Sequence, residues 1–351
     1  MIKENLTICF FGIYDPEYSR NKVLISGLKQ NGVEVIKCHS DKKGILKYFD
    51  LTRKHWKIRK DYDVLFVAFP GFQAMILARF LTHKKIIFDC FAPLYESEVL
   101  DRQNTKQGSF KAKYYWWLDK TSAKLADVVL LDTNEHIKYF VEEFKIKKEK
   151  FRRIFIGVDN FFLRPNSKKT KNNQFVVHFH GTNIPLQGIE YILKTTFLLK
   201  KHLDIKFVFV GPNIVEDNRY SFSNTNNVEF LGKVGYFKIP DFIDNADICL
   251  GIFGDTIKTK RVIPNKVFEC VARRRVIITA DTSAIRELFD ENDLYLISSA
   301  SPNALAEAIL FLKNNPDKLE KLAQNGYNKV VQNLTPTILG AKLKDIIQSL
   351  A

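Results

Sequence analysis

Cysteine is scarce in this sequence of 351 residues, and the five cysteines include no CxxC pair. This absence argues against a zinc ribbon or a disulfide framework and favours a reducing compartment, so we expect a cytoplasmic protein. The first residues also lack the layout of a signal peptide. Long apolar runs are missing as well, because the longest one, Val64–Leu81, is interrupted by Pro70 and Arg79. A membrane-spanning helix would need about 20 continuous apolar residues.

The composition is that of an ordinary folded protein with a strong positive charge. Hydrophobic residues make up 46% of the chain and charged residues 26%, which excludes a disordered chain, a collagen and a coiled coil. The formal net charge is +15, and 30 of the 54 cations but only 20 of the 39 acids fall in residues 1–165. The positive excess therefore belongs mainly to the N-terminal half. The length predicts two domains, since a domain has about 150 residues.

Short apolar runs alternate with helical periodicity in both halves of the sequence. Leu6–Tyr14 is typical of a buried parallel strand, and Arg20–Asn31 is typical of an amphipathic helix. The alternation restarts at Phe175, after the polar segment Arg164–Gln174. We therefore predict an α/β protein with two Rossmann-like domains, and if the two domains face a central cleft, that cleft is the natural ligand site. Its predicted parts are an N-terminal domain at 1–163, a linker at 164–174, a C-terminal domain at 175–334, and a helix at 335–351 that packs back on the N-terminal domain.

Glycine and polar residues follow the first strand of each predicted domain, where open parallel sheets bind ligands. Gly12 ends the first strand, and the segment after it does not fit GxGxxG, which disfavours a dinucleotide site. Gly181 and Thr182 end the strand Phe175–His180, and Gly188 precedes the next predicted helix. Each turn either holds a phosphate through its backbone N–H groups or is an ordinary strand-to-helix connection.

A cationic loop precedes a further predicted helix in the C-terminal half. The loop and the first helical turns carry these charged or polar side chains: Asp255, Lys258, Lys260, Arg261, Asn265, Lys266 and Glu269. We predict that Asn265 is the N-cap. Cations at a helix N-terminus suit a diphosphate, and the Glu269 carboxylate can accept two hydrogen bonds from the hydroxyls of a ribose. The alternative is a solvated charged loop, with a glutamate favoured by the helix dipole.

The order of these segments resembles the GT-B fold glycosyltransferases of family four, which are retaining enzymes that use nucleotide sugars. The resemblance covers nearly the whole chain and is strongest from Phe175 to Asp281. IPNKVFECVARRRVIITAD is similar to the signature helix of the family, which implies that Glu269 binds the ribose. HFHGTNIPLQGIEYIL resembles the phosphate segment, and the backbone near Gly232–Gly235 matches the segment that meets the base. The resemblance also implies that Gly12 approaches the donor from the other domain.

The sequence departs from the family at several positions that bear on mechanism. Arg261 occupies the position of the first of two family glutamates, and Asp255 is our candidate for part of its catalytic role. Thr182 and Gln187 stand where the family often has an arginine and a lysine, so we expect the diphosphate charge to be met by one of four cations. Those cations are Lys258, Lys260, Arg261 and Lys266. On the N-terminal side, Asp89 matches a catalytic position near the donor sugar and acceptor, or it caps the turn after its strand.

The resemblance implies transfer of a sugar to a hydroxyl of a glycan or lipid-linked acceptor, with retention. We expect front-face attack, because no second carboxylate is evident on the far side of the sugar. The resemblance also implies no cofactor and no metal, because the family generally works without one. The histidines show no HExxH pattern, and we interpret His178 and His180 as packing or wall residues. A nucleotide-sugar 2-epimerase and a catalytically silent, glycosyltransferase-like binding subunit remain as alternatives. The donor sugar, its base, the acceptor and the oligomeric state stay open.

Two N-terminal stretches, Lys42–Lys60 and Lys106–Lys124, interleave cations with tyrosine, phenylalanine and tryptophan. This pattern suits an anionic membrane surface, a nucleic acid, or simply the lysine-rich outer face of an amphipathic helix. Because acceptors in the family are often lipid-linked, we expect peripheral contact with the inner face of a membrane. We do not expect a nucleic-acid partner.

Overall fold

The structure is a computed structural model that describes residues 6–164, 174–212, 214 and 227–350. The chain divides by its packing into two compact units. One unit runs up to Asp159 and also includes the segment from Asn333 onward, and the other runs from Asn160 to Gln332. Most of the predicted linker at 164–174 lies outside the described residues.

The first unit contains a parallel sheet whose strand order is β2-β1-β3-β4-β5-β6 in the part of the chain that the structure describes. The strands are β1 (Thr7–Gly12), β2 (Glu34–His39), β3 (Val64–Val67), β4 (Ile86–Asp89), β5 (Val128–Leu131) and β6 (Phe151–Arg153). The helices that connect them are α1 (Ser19–Gln30), α2 (Leu46–Ile58), α3 (Phe72–Leu81), α4 (Phe110–Leu125) and α5 (Asn134–Phe144). A π-helical turn, Glu96–Asp101, follows β4.

Alternate side chains of these strands enter two separate cores, as the period of two in a strand requires. Cys9 and Phe11 pack with buried residues of α2, α3, α4 and α5. Ile8 and Phe10 point the other way and pack with α1. Because both faces of the sheet are covered, every residue of the inner strands β3 and β5 is apolar and buried, which explains the continuous apolar runs in the sequence. The edge strands β2 and β6 carry charged residues.

The second unit has the sheet order β12-β11-β10-β7-β8-β9 among its described residues, again with parallel pairing. Its strands are β7 (Phe175–His180), β8 (Ile205–Val210), β9 (Val228–Phe230), β10 (Ile248–Leu250), β11 (Val276–Ala280) and β12 (Tyr295–Ile297). Its helices are α6 (Ile189–Leu198), α7 (Ile239–Asn245), α8 (Asn265–Ala272), α9 (Pro302–Asn314) and α10 (Pro316–Asn333). Two sheets of this kind confirm the predicted α/β fold class with two Rossmann-like domains.

The last helix, α11 (Pro336–Gln348), packs on α1 in the first unit. Two glycines allow the helices to approach closely. A Cβ atom placed on Gly27 would lie 2.1 Å from the Pro336 carbonyl oxygen and 2.9 Å from Cα of Gly340. Leu339 and Leu343 of α11 then reach the same core as α1. None of the helices in the described ranges is long and apolar enough to span a bilayer.

Candidate functional site

The N-terminus of α8 lies beside the carboxyl end of β7, and the side chain of Lys266 connects them. The prediction that Asn265 caps α8 is wrong, because Pro264 has the extended backbone of the N-cap and Asn265 is the first helical residue. Lys266 Nζ donates a hydrogen bond to Oε1 of Gln187 at 2.5 Å. The same nitrogen lies 3.6 Å from the centroid of the Phe179 ring.

Gly181 is the residue that makes room for this ammonium group. Its φ of +155° is a backbone conformation that favours glycine, and a Cβ atom there would lie 2.8 Å from Lys266 Nζ, so a larger residue would strain the backbone and displace the end of the lysine. Lys266 is only 4% exposed. Burial lowers the pKa of Lys266 to about 7, against the opposing effects of Cys270 and the Glu269 carboxylate. A bound anion would stabilise the charged form, so this lysine is suited to hold a phosphate.

Glu269 lies on the same face of α8, three residues after Lys266. It is 4% exposed, and each of its carboxylate oxygens already has a protein donor. Tyr236 donates its hydroxyl to Oε1 at 2.5 Å, and His180 Nε2 donates to Oε2 at 2.9 Å. Each carboxylate oxygen can accept more than one hydrogen bond, so the group is oriented without being saturated. Glu269 is thus fixed in position, and both of its oxygens retain capacity for a further hydrogen bond.

His178 extends this chain of hydrogen bonds into the interior of the unit. Its Nε2 lies 3.0 Å from His180 Nδ1, and the two rings stack with centroids 5.1 Å apart. Burial lowers the pKa of both histidines, so both rings are neutral at physiological pH. A neutral His180 that donates from Nε2 must accept at Nδ1, which assigns the donor role to His178 Nε2. Interpreted from the sequence as packing or wall residues, the two histidines have distinct contacts: His180 orients Glu269, and His178 holds His180.

An aromatic cluster adjoins Tyr236. Phe161 and Phe162 both meet its ring at a centroid distance of 5.6 Å, edge to face. The segment that carries these phenylalanines is held by Arg273, which donates to the carbonyl oxygens of Phe161 and Arg164. Arg273 also forms a bidentate, buried ion pair with Asp244. The arginine after α8 thus fixes the start of the second unit next to the candidate site.

The remaining residues predicted on this unit differ in their exposure and contacts. Thr182 is exposed directly after Gly181, and exposed Gly235 immediately precedes Tyr236. The short helical turn Lys258–Lys260 packs against the turn that contains Gln187, and Lys258 is buried. Arg261 follows that turn and is half-buried, while Asp255 is exposed and accepts a hydrogen bond from the Tyr191 hydroxyl at 3.3 Å. Gly181, Gln187, Lys266 and Glu269 are the predicted residues that these contacts bring together.

The two residues predicted on the first unit occupy different environments. Gly12 ends β1 with φ of +143°, a backbone conformation that favours glycine. Asp89 is fully buried at the end of β4, and its carboxylate is held by Nε and Nη2 of Arg20 at 2.7–2.9 Å. Arg20 also donates to the Ile154 carbonyl oxygen at 3.0 Å. This pairing favours a structural role for Asp89 over direct contact with a sugar or acceptor.

A second buried charge cluster in the first unit has His136 between two carboxylates. Its Nδ1 lies 2.5 Å from Asp132 and its Nε2 lies 2.9 Å from Glu96. Burial lowers the pKa of His136, but the two carboxylates outweigh burial and raise the pKa to about 10. The imidazolium therefore remains charged at neutral pH and links α5 to the π-helical turn. Across the ranges that the structure describes, no group of three or more His, Cys, Asp or Glu side chains is placed to hold a metal ion.

Comparison with known proteins concerns part of the sequence and the whole fold. Residues 194–337, which include α8, match the sequence profile of the family described as glycosyl transferase-like. That match covers less than half of the chain, and no curated protein matches the sequence. The similarity to solved structures covers nearly the whole chain. The chain has the GT-B fold.

Solved GT-B structures superimpose on nearly the entire chain. HepE of Anabaena, solved with UDP, covers 99% of this chain and 100% of its own at 15% identity, with a TM-score of 0.71. Further structures of HepE contain UDP with glucose and UDP-glucose. Sucrose-phosphate synthase of Thermosynechococcus elongatus matches 99% of both chains at 12% identity, with a TM-score of 0.75. A glycosyltransferase of Rickettsia africae matches 99% of both chains at 15% identity, with a TM-score of 0.68.

Sequence reasoning missed three side chains that support the predicted residues. His180 stands at the carboxyl end of β7, which was the available signal for a site residue. Tyr236 follows the predicted base-binding glycine Gly235, but nothing in the sequence connects it to Glu269. Arg20 is the first-turn residue of α1, and its pairing with Asp89 spans 69 residues of the chain. Such contacts arise from the sheet order and carry no local pattern.

Proposed function

We propose that this protein is a retaining glycosyltransferase that moves a sugar from a nucleoside diphosphate donor to a hydroxyl of a glycan or lipid-linked acceptor. One observation carries the proposal: an oriented, buried carboxylate at Glu269 and a buried amine at Lys266 lie on one face of α8 beside the carboxyl end of β7. A carboxylate suits the hydroxyls of a ribose, and an amine suits a diphosphate. The glycosyl transferase-like match over residues 194–337 supports the same reading.

Each group has a defined part in the proposed reaction. Glu269 accepts hydrogen bonds from the ribose hydroxyls, and its two protein donors keep the carboxylate in one orientation. Lys266 and the N-terminus of α8 stabilise the negative charge that develops on the leaving diphosphate. Half-buried Arg261 provides a second cation for that group. The resemblance to family four supports retention, and in this proposal charge is balanced by side chains and backbone without a metal.

Donor affinity is the direct test of Glu269. Replacement of Glu269 with Ala removes charged hydrogen bonds and is expected to weaken donor binding by about 1.5–3 kcal/mol. Isothermal titration calorimetry with UDP and UDP-glucose measures this change, and a thermal-shift screen with GDP-, ADP- and CMP-sugars identifies the base. Glu307→Gln, on the exposed face of α9, is the matched control. Unchanged donor affinity in a folded Glu269→Ala variant would contradict the assignment.

The second candidate function is that of a catalytically silent binding subunit. Arg261 supports it, because an arginine stands where the resemblance predicts the first glutamate. The two functions differ in turnover. A transferase consumes the donor in the presence of a glycan or lipid-linked acceptor, whereas a binding subunit retains nucleotide affinity without product formation. Incubation with donor alone also reveals a 2-epimerase, because that reaction yields a new sugar nucleotide without an acceptor.

A further inference from the structure

Several large apolar side chains of the first unit point into solvent from three consecutive helices. α2, α3 and α4 cover the same face of the sheet, and α3 packs against both of its neighbours. Their outward sides carry the residues that we define as the α2–α4 surface: Leu46, Phe49, Trp56, Phe80, Phe110 and Trp117. All six are at least 48% exposed, and Phe110 is 92% exposed. Exposed apolar side chains mark an interaction site when they are organised rather than scattered singly.

Helical periodicity shows that the exposure is organised. On α2, Leu46, Phe49 and Trp56 follow one another at intervals of three and seven residues and form one stripe, whereas Leu51 and His55 point inward and are buried. α4 repeats this arrangement, because Phe110 and Trp117 lie two turns apart while Leu118 and Ala123 face the core. Each of these two helices therefore buries one apolar face against the core and carries a second apolar stripe on its outer side.

Cations surround these stripes, and the nearby acids do not offset them. Residues 42–60 hold eight lysines and arginines and one acid, and residues 106–124 hold five lysines and one acid. Asp50 is paired with Lys54 at 2.9 Å. Asp119 is fully buried and accepts hydrogen bonds from the backbone N–H groups of Leu94 and Tyr95. The outer charge of the layer is thus positive.

We propose that the α2–α4 surface docks this protein on the surface of an anionic phospholipid bilayer. The cations meet the negative headgroups, and the apolar side chains enter the boundary with the acyl chains. Aliphatic exposure distinguishes this occupant from a nucleic acid. Ile45 and Leu46 are 69% and 63% exposed, and an aliphatic side chain gains from acyl chains but offers no ring for base stacking. The proposal goes beyond the transfer reaction and does not depend on it.

Vesicle co-sedimentation of the full chain tests the proposal. The probes are vesicles of phosphatidylcholine alone and of phosphatidylcholine with phosphatidylglycerol, at physiological ionic strength and without any sugar nucleotide. We expect binding to the anionic vesicles and little binding to the neutral ones. The double variant Phe49→Ser with Trp56→Ser should lower the partition coefficient about tenfold or more, because two apolar side chains no longer leave water. Arg53→Glu with Lys57→Glu should abolish the preference for anionic lipid.

Matched controls distinguish a loss of vesicle binding that is specific to the α2–α4 surface from one that is caused by unfolding. Phe197→Ser, on α6 of the other unit, removes a phenylalanine that is 58% exposed and should leave vesicle binding unchanged. An unaltered melting temperature shows that each variant is folded. Equal binding to neutral and anionic vesicles, no binding at all, or full binding by the folded double variant would overturn the proposal. Tighter binding of a short RNA or DNA duplex, lost in the same variants, would assign the surface to nucleic acid instead. UDP binding that persists when vesicle binding fails leaves the proposed transferase function standing.

Discussion

The pH dependence of nucleotide affinity tests the most unusual group in the candidate site. Lys266 Nζ is enclosed by the Phe179 ring, the backbone of Gly181 and the Gln187 side chain. Burial therefore lowers the pKa of Lys266 to about 7 in the free protein. A diphosphate beside this nitrogen would favour the ammonium form and raise its pKa, so nucleotide binding should be coupled to uptake of a proton.

The pKa of Lys266 sets the size of this coupling. With a pKa of about 7, half of the molecules carry the charged lysine at pH 7, and only about 3% carry it at pH 8.5. If the diphosphate binds the charged form, its affinity should fall about 16-fold over that interval, which corresponds to about 1.6 kcal/mol. The phosphate itself contributes little to this change, because its second pKa is about 6.

Calorimetric titration of UDP at pH 7 and pH 8.5, in buffers with different ionisation enthalpies, measures both the affinity and the protons taken up. Lys266→Met should lower affinity at pH 7 and make it nearly independent of pH over the same interval. Uridine lacks the diphosphate and serves as the matched ligand control, with no expected proton uptake. A wild-type affinity for UDP that is equal at the two pH values, or a Lys266→Met variant with the wild-type pH dependence, would refute the reasoning.

Three further changes test other parts of the structure. Tyr236→Phe removes one donor to Glu269 and should weaken UDP binding by about 0.5–1.5 kcal/mol in calorimetry; affinity equal to wild type would show that the hydroxyl does not orient the carboxylate. His136 has a raised pKa, so its stabilisation is complete below its ordinary pKa of 6.5 and is lost as pH rises through about 10. Urea unfolding of His136→Gln should show a loss of about 3–5 kcal/mol at pH 6 and a shallower decline towards pH 10, and a wild-type stability profile would contradict this. Gly27→Ala places a methyl group against Gly340 and should cost about 1–3 kcal/mol of unfolding free energy, whereas an unchanged melting temperature would mean that the helices do not meet as described.

Local pattern predicted the elements of the fold. Buried strands such as Thr7–Gly12 were visible because a parallel sheet covered on both faces requires continuous apolar runs. Helix limits were less secure, since Asn265 had the residue type of an N-cap but Pro264 has the backbone of one. The helix begins at Asn265 because Pro264 has an extended ψ of 153°, and the residue type at 265 does not reveal that backbone angle.

In the candidate site, too, some features could be predicted from local sequence and others could not. The glycine at 181 and the charged residues of α8 could be predicted, because strand ends, helix starts and family resemblance are properties of short segments. The partners of those residues could not be predicted. Nothing near His180 or Tyr236 in the sequence points to Glu269, which lies 89 and 33 residues away from them.

The amino-acid sequence by itself determined the strands, the helices, the positive charge and the polar residues at the ends of strands, because each depends on neighbours within one or two turns. The tertiary structure decided which groups are buried and what they pair with. It pairs Asp89 with Arg20, and it buries Lys266, which lowers the pKa of that lysine to about 7. These outcomes depend on desolvation and on contacts between distant segments, and only the folded chain creates them.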